Sequence, residues 1–234
     1  MIRILEATAS TNQDMIALAS AGEAEGLWLR AVTQTAGRGR LGRIWQSPPG
    51  NLYASTLVRP RPADPSPASL GFVAAVALHE TVTPWVGEGA LTLKWPNDLL
   101  LDGAKLSGIL LEGADGAVVI GMGVNLAHYP EGLERAVTSL AVGGRGAPDP
   151  ALFLEDLAAA FAHWLGRWRS EGLAPIRTAW LAAAHPKGTA LTANLPDGES
   201  IKGLFDGLDS DGALILRLAD GHSRVIHAGD VFLI

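Results

Sequence analysis

Residues 37 to 43 read GRGRLGR, three arginines and three glycines in seven positions of a chain whose formal net charge is −6. Guanidinium forks grip a phosphate or carboxylate bidentately, and glycines let backbone N–H groups approach it closely. The bland alternative is a solvated basic turn. Gly37, Gly39 and Gly42 also satisfy the G-x-G-x-x-G spacing of a dinucleotide-binding turn, but that motif has to open a helix and be followed by an acid at a strand end. Here IWQSPPGNLYASTLV follows, a turn at Pro48, Pro49 and Gly50 and then a β-rich run. The next acid downstream, Asp64, lies inside the proline-rich stretch RPRPADPSP. No Lys-Ser or Lys-Thr follows the glycines, so a Walker-type phosphate loop is excluded as well.

A second constellation is KWPNDLLLDGAKLSGILLE, residues 94 to 112. Pro96, Asn97 and Asp98 make a turn that presents an amide and a carboxylate together. Lys105 follows a hairpin tip at Asp102-Gly103, which can bring its ammonium to Lys94 and Asp98 at one end of a sheet. A plain turn and a surface lysine are the structural alternatives. Asn125, in GMGVNL, interrupts an apolar strand and needs hydrogen-bond partners if buried, from the core or from a ligand. STNQ at 10 to 13 reads first as a helix cap. The six histidines show no H-x-H or H-x-x-x-H pairing, and there is no cysteine, which excludes disulfides, cysteine-zinc sites and thiol nucleophiles. No G-x-S-x-G nucleophile elbow is present.

These groups need elements to hold them. A first strand, MIRILEA, leads into a helix through Met15, Ile16, Leu18 and Ala19. LWLRAVTQ is a second strand that runs into the arginine loop. Helical spacing covers 68 to 82 and stops at Pro84. ALTLKW, LLL, AKLSGILLE and AVVIGMGVNL form a meander, with Asp-Gly turns at 102 and 115 suited to tight hairpins. A helix over 150 to 171 presents Leu154, Leu157, Phe161, Trp164, Leu165 and Trp168 on one face, and IRTAWLAAA forms a shorter one. Beyond HPKG the texture changes to short strands, TALTANL, SIKGLF, ALILRL and SRVIH, around Asp-Gly turns at 197, 211 and 220: a small SH3-like β-barrel.

At 234 residues, 48% apolar and 18% charged, the chain has the makeup of a soluble globular protein with one sizeable core and a small appendage. The longest apolar run, LGFVAAVAL, is too short to span a bilayer, and the N-terminus shows no signal peptide, so a cytoplasmic protein is expected. An acidic total argues against a general nucleic-acid binder.

Taken in order, STNQ, TQTAGRGRLGRIW, KWPNDLLLDGAKLSGILLE and GMGVNL resemble the motif series of the biotin protein ligases, over the whole of residues 1 to 234. The resemblance implies an α+β fold of the class II synthetase and biotin/lipoate ligase type. A mixed central β-sheet flanked by helices (1–185) would bind biotin and ATP, and the SH3-like barrel would occupy 186–234. It also implies a two-step reaction, adenylation of biotin by MgATP and transfer to a lysine of a biotin carboxyl carrier domain. By position, Ser10, Thr11, Asn12 and Gln34 match polar contacts to the biotin head group. Arg38, Gly39, Arg40, Lys105 and Gly108 complete the biotin set, and Lys105, Arg40 and Arg38 are the catalytic candidates. Arg40, Arg43, Trp45, Lys94, Asn97 and Asn125 match the ATP and adenylate side, and Asp98 is a Mg²⁺ ligand candidate. Some family members carry an N-terminal helix-turn-helix. With a first strand beginning at Ile2, no operator binding is expected, while a homodimer through an edge strand of the central sheet is. Lipoate and octanoate ligases, the nearest rivals, resemble a different arginine-glycine pattern followed by a histidine-containing stretch.

Overall fold

The computed structural model describes residues 1–133 and 135–233. Seven strands form one mixed sheet: β1 (Ile2–Thr8), β2 (Trp28–Gln34), β3 (Leu52–Val58), β4 (Leu91–Lys94), β5 (Asp98–Leu101), β6 (Ala104–Ala114) and β7 (Ala117–Val124). Their order is β1-β2-β3-β7-β6-β5-β4. Only β1 and β2 are parallel, and the crossover such a pair requires is α1 (Thr11–Ser20). The other neighbours are antiparallel, so the expected α+β architecture is present.

The meander forms because its turns suit it. Asp102 and Gly103 have φ of 49° and 78°, and Asp115 and Gly116 have 43° and 74°. Two consecutive positive φ values define the hairpin turn that Asp-Gly favours. Helix α4 (Pro150–Glu171) begins where Asp149 accepts from the Ala151 and Leu152 N–H groups, at 2.7 and 3.2 Å, with Pro150 in the first turn, and it ends at Gly172, φ 79°. Its buried face is the expected stripe with one correction. Trp164 is only half-buried, and its indole N–H donates to Glu80 at 2.7 Å, because it sits at the margin of the stripe over α2 (Leu70–Val82).

The two faces of the sheet are covered unequally. Helix α1 packs Met15 and Ala19 on Leu29, Leu57 and Val119, covering part of one face. Helices α2, α4 and α5 (Leu173–Ala182) cover the other with the main core. What α1 leaves open on its own face is where the pocket lies. A four-residue helix, α3 (Leu140–Gly143), follows the meander.

The C-terminal strands β8 (Ala190–Asn194), β9 (Ser200–Leu208), β10 (Leu214–Arg217), β11 (Ser223–Ile226) and β12 (Asp230–Leu233) form a five-stranded antiparallel sheet, order β11-β10-β9-β8-β12. Among the described residues no ladder joins β11 to β12, so the expected barrel is hydrogen-bonded as an open sheet. The short edge strand β12 pairs with β8 alone. This sheet shares one core with the larger one: Phe205 and Leu214 belong to the same buried cluster as Phe72, Trp95 and Trp180. The Trp95 indole N–H donates to the Gly212 carbonyl at 3.2 Å, and a Cβ on Gly212 would come within 2.4 Å of the Phe72 ring.

Candidate active site

Strand register builds the floor of the pocket. Lys94 lies opposite Asp98, Asp98 opposite Gly108, Gly108 opposite Gly123 and Gly123 opposite Tyr53. Directly opposed residues point to the same face of a sheet, so this row puts two charged groups, two bare glycines and a tyrosine side by side. Ser55 and Gly121 lie opposite each other two residues further along the same face. The glycines are required. A Cβ on Gly121 would meet Asn12 Oδ1 at 2.2 Å, one on Gly123 would meet Trp45 Cε2 at 2.5 Å, and one on Gly108 would meet Lys105 Nζ at 3.2 Å.

At one end stand neutral polar groups. Ser10 occupies the N-cap of α1 but makes no capping hydrogen bond; the Thr11 N–H instead donates to Gln34 Oε1 at 2.9 Å. The cap reading of STNQ is therefore replaced, because Ser10, Thr11 and Asn12 line the pocket while Gln13 is exposed. Asn12 Nδ2 donates to Glu112 Oε2 at 2.7 Å, Ser55 Oγ lies 2.6 Å from Asn12 Oδ1 and 2.8 Å from Thr11 Oγ1, and Gln34 Nε2 donates to Ser47 Oγ at 3.0 Å.

At the other end stand the cations. Lys105 is buried and ion-paired with Asp98, whose second oxygen lies 3.6 Å from Lys94 Nζ. Burial pushes the Lys105 ammonium below its ordinary range, and the Asp98 carboxylate opposes that shift. Six cationic residues, Arg38, Arg40, Arg43, Lys94, Lys105 and Arg135, line the pocket against two acids, Asp98 and Asp230. The surplus selects an anionic ligand.

The arginine loop is a small hairpin rather than the start of a helix. Gly39 N–H donates to the Arg43 carbonyl at 2.8 Å and Trp45 N–H to that of Gly37 at 2.9 Å, around a tip where Leu41 and Gly42 have φ of 56° and 71°. Gly37 admits no side chain, since a Cβ would lie 2.5 Å from the Trp45 carbonyl. The loop is tied across the pocket mouth to the C-terminal sheet. Arg40 donates to the Gly229 carbonyl and to Asp230 Oδ1, both at 3.3 Å, and to Asn97 Oδ1 at 3.4 Å, while Arg43 pairs with the other oxygen of Asp230. Arg38 is exposed at the rim. The Trp45 ring lies with its centroid 5.7 Å from the Lys105 ammonium, and its buried indole N–H has no partner, an unmet donor in the pocket wall.

Ser10, Thr11, Asn12, Gln34, Arg38, Gly39, Arg40, Arg43, Trp45, Lys94, Asn97, Asp98, Lys105 and Gly108 all converge on this pocket. One expectation is corrected. Asn125 does not line it: the residue is buried, its amide donates to the Thr138 carbonyl at 3.0 Å, and its backbone accepts from Leu140, so it stitches β7 to the segment before α3. Asp98 is held between two ammonium groups, those of Lys94 and Lys105. The sequence reading had missed Ser55, Glu112 and the β12 residues Asp230, Val231 and Phe232. Ser55 was signalled by its place in the apolar run LYASTLV. Asp230 carried no local signal.

Comparison with known proteins follows this geometry. Residues 5–125 match the biotin/lipoate A/B protein ligase family, and residues 191–234 match the biotin protein ligase C-terminal domain. A biotin acetyl-CoA-carboxylase ligase of Paracoccus denitrificans is 43% identical over 240 residues, covering 98% of this chain and 99% of that protein. Its counterpart from Mycobacterium tuberculosis is 33% identical over 234 residues, covering 97% and 87%. The solved structure of a biotin protein ligase from Aquifex aeolicus in complex with biotin and ATP superposes with a TM-score of 0.88 at 24% identity, covering 100% and 99% of the two chains.

Proposed function

The chain belongs to the biotin/lipoate A/B protein ligase family, and from that membership and the pocket we propose that it is an ATP-dependent biotin protein ligase. The observation that carries the reading is the two-ended pocket: neutral donors and acceptors on Thr11, Asn12 and Gln34 at one end, the Lys105 and arginine cluster at the other. Biotin has that polarity, a neutral ureido head and an anionic carboxylate tail.

In the first step a biotin carboxylate oxygen attacks the α-phosphorus of ATP. The bond to the bridging oxygen breaks, pyrophosphate leaves, and biotinyl-5′-adenylate forms. Lys105 sits between the acyl oxygen and the α-phosphate, where a compact, preorganised ammonium offsets the charge that builds in the transition state. Asp98 keeps that ammonium protonated against the cost of its burial. Arg38, Arg40 and Arg43 neutralise phosphate charge, with Lys94 and Asn97 on the nucleotide side and Trp45 beside it. Magnesium arrives with ATP as part of the substrate, held by the phosphates, as suits an ion that keeps most of its water. In the second step the neutral ε-amine of a carrier-domain lysine attacks the acyl carbon, the acyl–phosphate bond breaks, AMP leaves and an amide remains. Closure of residues 37–45 over the adenylate excludes water that would hydrolyse it.

The proposed acceptor is the biotin carrier domain of a carboxylase, and the proposed compartment is the cytoplasm. Among the described residues no helix is long and apolar enough to cross a membrane. The deciding experiment is ATP–pyrophosphate exchange with Mg²⁺ and biotin, lipoate or octanoate in turn. Exchange with biotin alone is expected. Exchange with lipoate or octanoate instead would keep the chemistry and reject the substrate, and no exchange with any acid would sink the reading.

A further inference from the structure

The neutral end of the pocket contains a chain of hydrogen bonds whose direction is fixed from a residue outside the pocket lining. Glu112, on β6, is a carboxylate and can only accept, so Asn12 must turn its Nδ2 toward it. That leaves Asn12 Oδ1 facing Ser55 Oγ at 2.6 Å. Ser55 is fully buried and has one hydroxyl hydrogen. Two oxygens lie within reach of it, and Asn12 Oδ1 has no hydrogen to offer in return, so the Ser55 hydrogen goes to Asn12. The Thr11 hydroxyl has two acceptors in reach, Gln34 Oε1 at 3.2 Å and Ser55 Oγ at 2.8 Å; with the Ser55 hydrogen on Asn12, the shorter contact is made by Thr11 donating to Ser55 Oγ, and either choice keeps the Thr11 hydrogen out of the pocket. With its hydrogen committed, Thr11 Oγ1 faces the pocket as an acceptor. Gln34 is fixed in the same way: its Oε1 takes the Thr11 N–H, its Nε2 gives one hydrogen to Ser47, and the second is left for the pocket.

We propose that Glu112 is a positioning residue that sets the hydrogen-bond polarity of the head-group site, so that the site offers one acceptor, Thr11 Oγ1, beside one donor, Gln34 Nε2. The matching ligand edge carries an N–H next to a C=O, as a cyclic urea or lactam does. This rests on the ligase reading and deepens it, because it says which atoms of a ureido ring the site selects. A buried polar group left facing the wrong partner is costly, so a site of this kind rejects a ligand of unchanged shape and reversed polarity. Glu112→Gln removes the constraint. The new amide can present either end to Asn12, and Asn12, Ser55 and Thr11 are then free to reverse together.

The test uses the full chain in ATP–pyrophosphate exchange with biotin and with the cyclic carbamate in which one ureido N–H is replaced by oxygen. The wild-type protein is expected to favour biotin by on the order of 10²-fold or more in kcat/KM. In Glu112→Gln the KM for biotin is expected to rise about tenfold and the preference to narrow to within about tenfold, with kcat at saturating biotin and the KM for ATP little changed. Ser55→Ala cuts the same chain without touching Glu112 and is expected to narrow the preference equally. The double variant is expected to be no worse than either single one, since both break one relay. Variants that fold and keep the wild-type preference, or losses that add in the double variant, overturn the proposal. Wild-type protein without biotin-dependent exchange overturns the ligase reading and this inference with it, so the two failures are told apart.

Discussion

Gly123 lies beneath the indole of Trp45 so closely that a Cβ placed on it would stand 2.5 Å from Cε2 and 2.6 Å from Nε1. Trp45 closes the arginine loop, so the flat contact sets how near residues 37–45 can come to the sheet. Gly123→Ala is expected to lift the ring, raising the KM for ATP roughly tenfold, a cost typical of one added methyl in a packed contact. Steady-state exchange kinetics check this, and an unchanged KM would free the loop from its contact with the sheet.

Lys105→Ala is expected to lower adenylation by roughly 10²-fold or more with folding intact. Asp98→Asn tests the electrostatics more finely. Burial lowers the Lys105 pKa and the Asp98 carboxylate raises it, so removing that charge lowers it further. The required form is the ammonium, and the rate falls as pH rises through this pKa. The alkaline limb of the exchange profile is therefore expected at lower pH in Asp98→Asn than in wild type.

Asp230 binds Arg40 and Arg43 together, and under the proposed reaction this carboxylate competes with phosphate for the two guanidiniums. In Asp230→Ala the loop loses both carboxylate ties to the C-terminal sheet and keeps only the Arg40 bond to the Gly229 carbonyl, and trypsin cleavage after Arg40 and Arg43 is expected to accelerate about tenfold. Biotin with MgATP is expected to restore protection, since phosphate then takes the place of the carboxylate. Gel analysis of timed digests shows both effects.

Away from the pocket, Arg169 near the end of α4 pairs with Glu25 at 2.6 Å, and the hydrogen bond holds the Glu25 carboxyl below its ordinary range. A lowered carboxylate pKa adds stability above the unfolded value of about 4.3 that disappears as pH falls through the folded value. Glu25→Gln is expected to cost about 1 kcal/mol at pH 7, about 2–4 °C in Tm, and nothing near pH 2. Thermal melts at the two pH values decide it.

The sequence made local chemistry legible and left distant contacts hidden. Asp102-Gly103 and Asp115-Gly116 announced their hairpins because two adjacent left-handed residues are a local requirement. The limits of α4 were readable from Pro150 and from the periodic apolar stripe. Asn125 misled because an amide in a strand looks the same whether a ligand or the Thr138 carbonyl satisfies it. Ser10 stands at the N-cap position that its sequence place suggests, but only the folded pocket shows its side chain left free of the capping bond. The meeting of Lys94, Asp98 and Lys105 was readable from the Asp102-Gly103 hairpin, which returns the chain beside its own turn. Asp230 meets Arg43 from 187 positions away, and no pattern within either segment points to the other.

The place of β12 in the pocket has a consequence for the birth of the enzyme. Synthesis delivers residues 1–124 first, and they contain every strand of the large sheet. The glycine floor and the Lys105–Asp98 pair are encoded in that stretch, while helices α4 and α5, which cover the other face of the sheet, follow it. The wall that Asp230, Val231 and Phe232 supply is still untranslated. The pocket thus draws one wall from the strand most distant in sequence from its floor, and the order of synthesis separates the two.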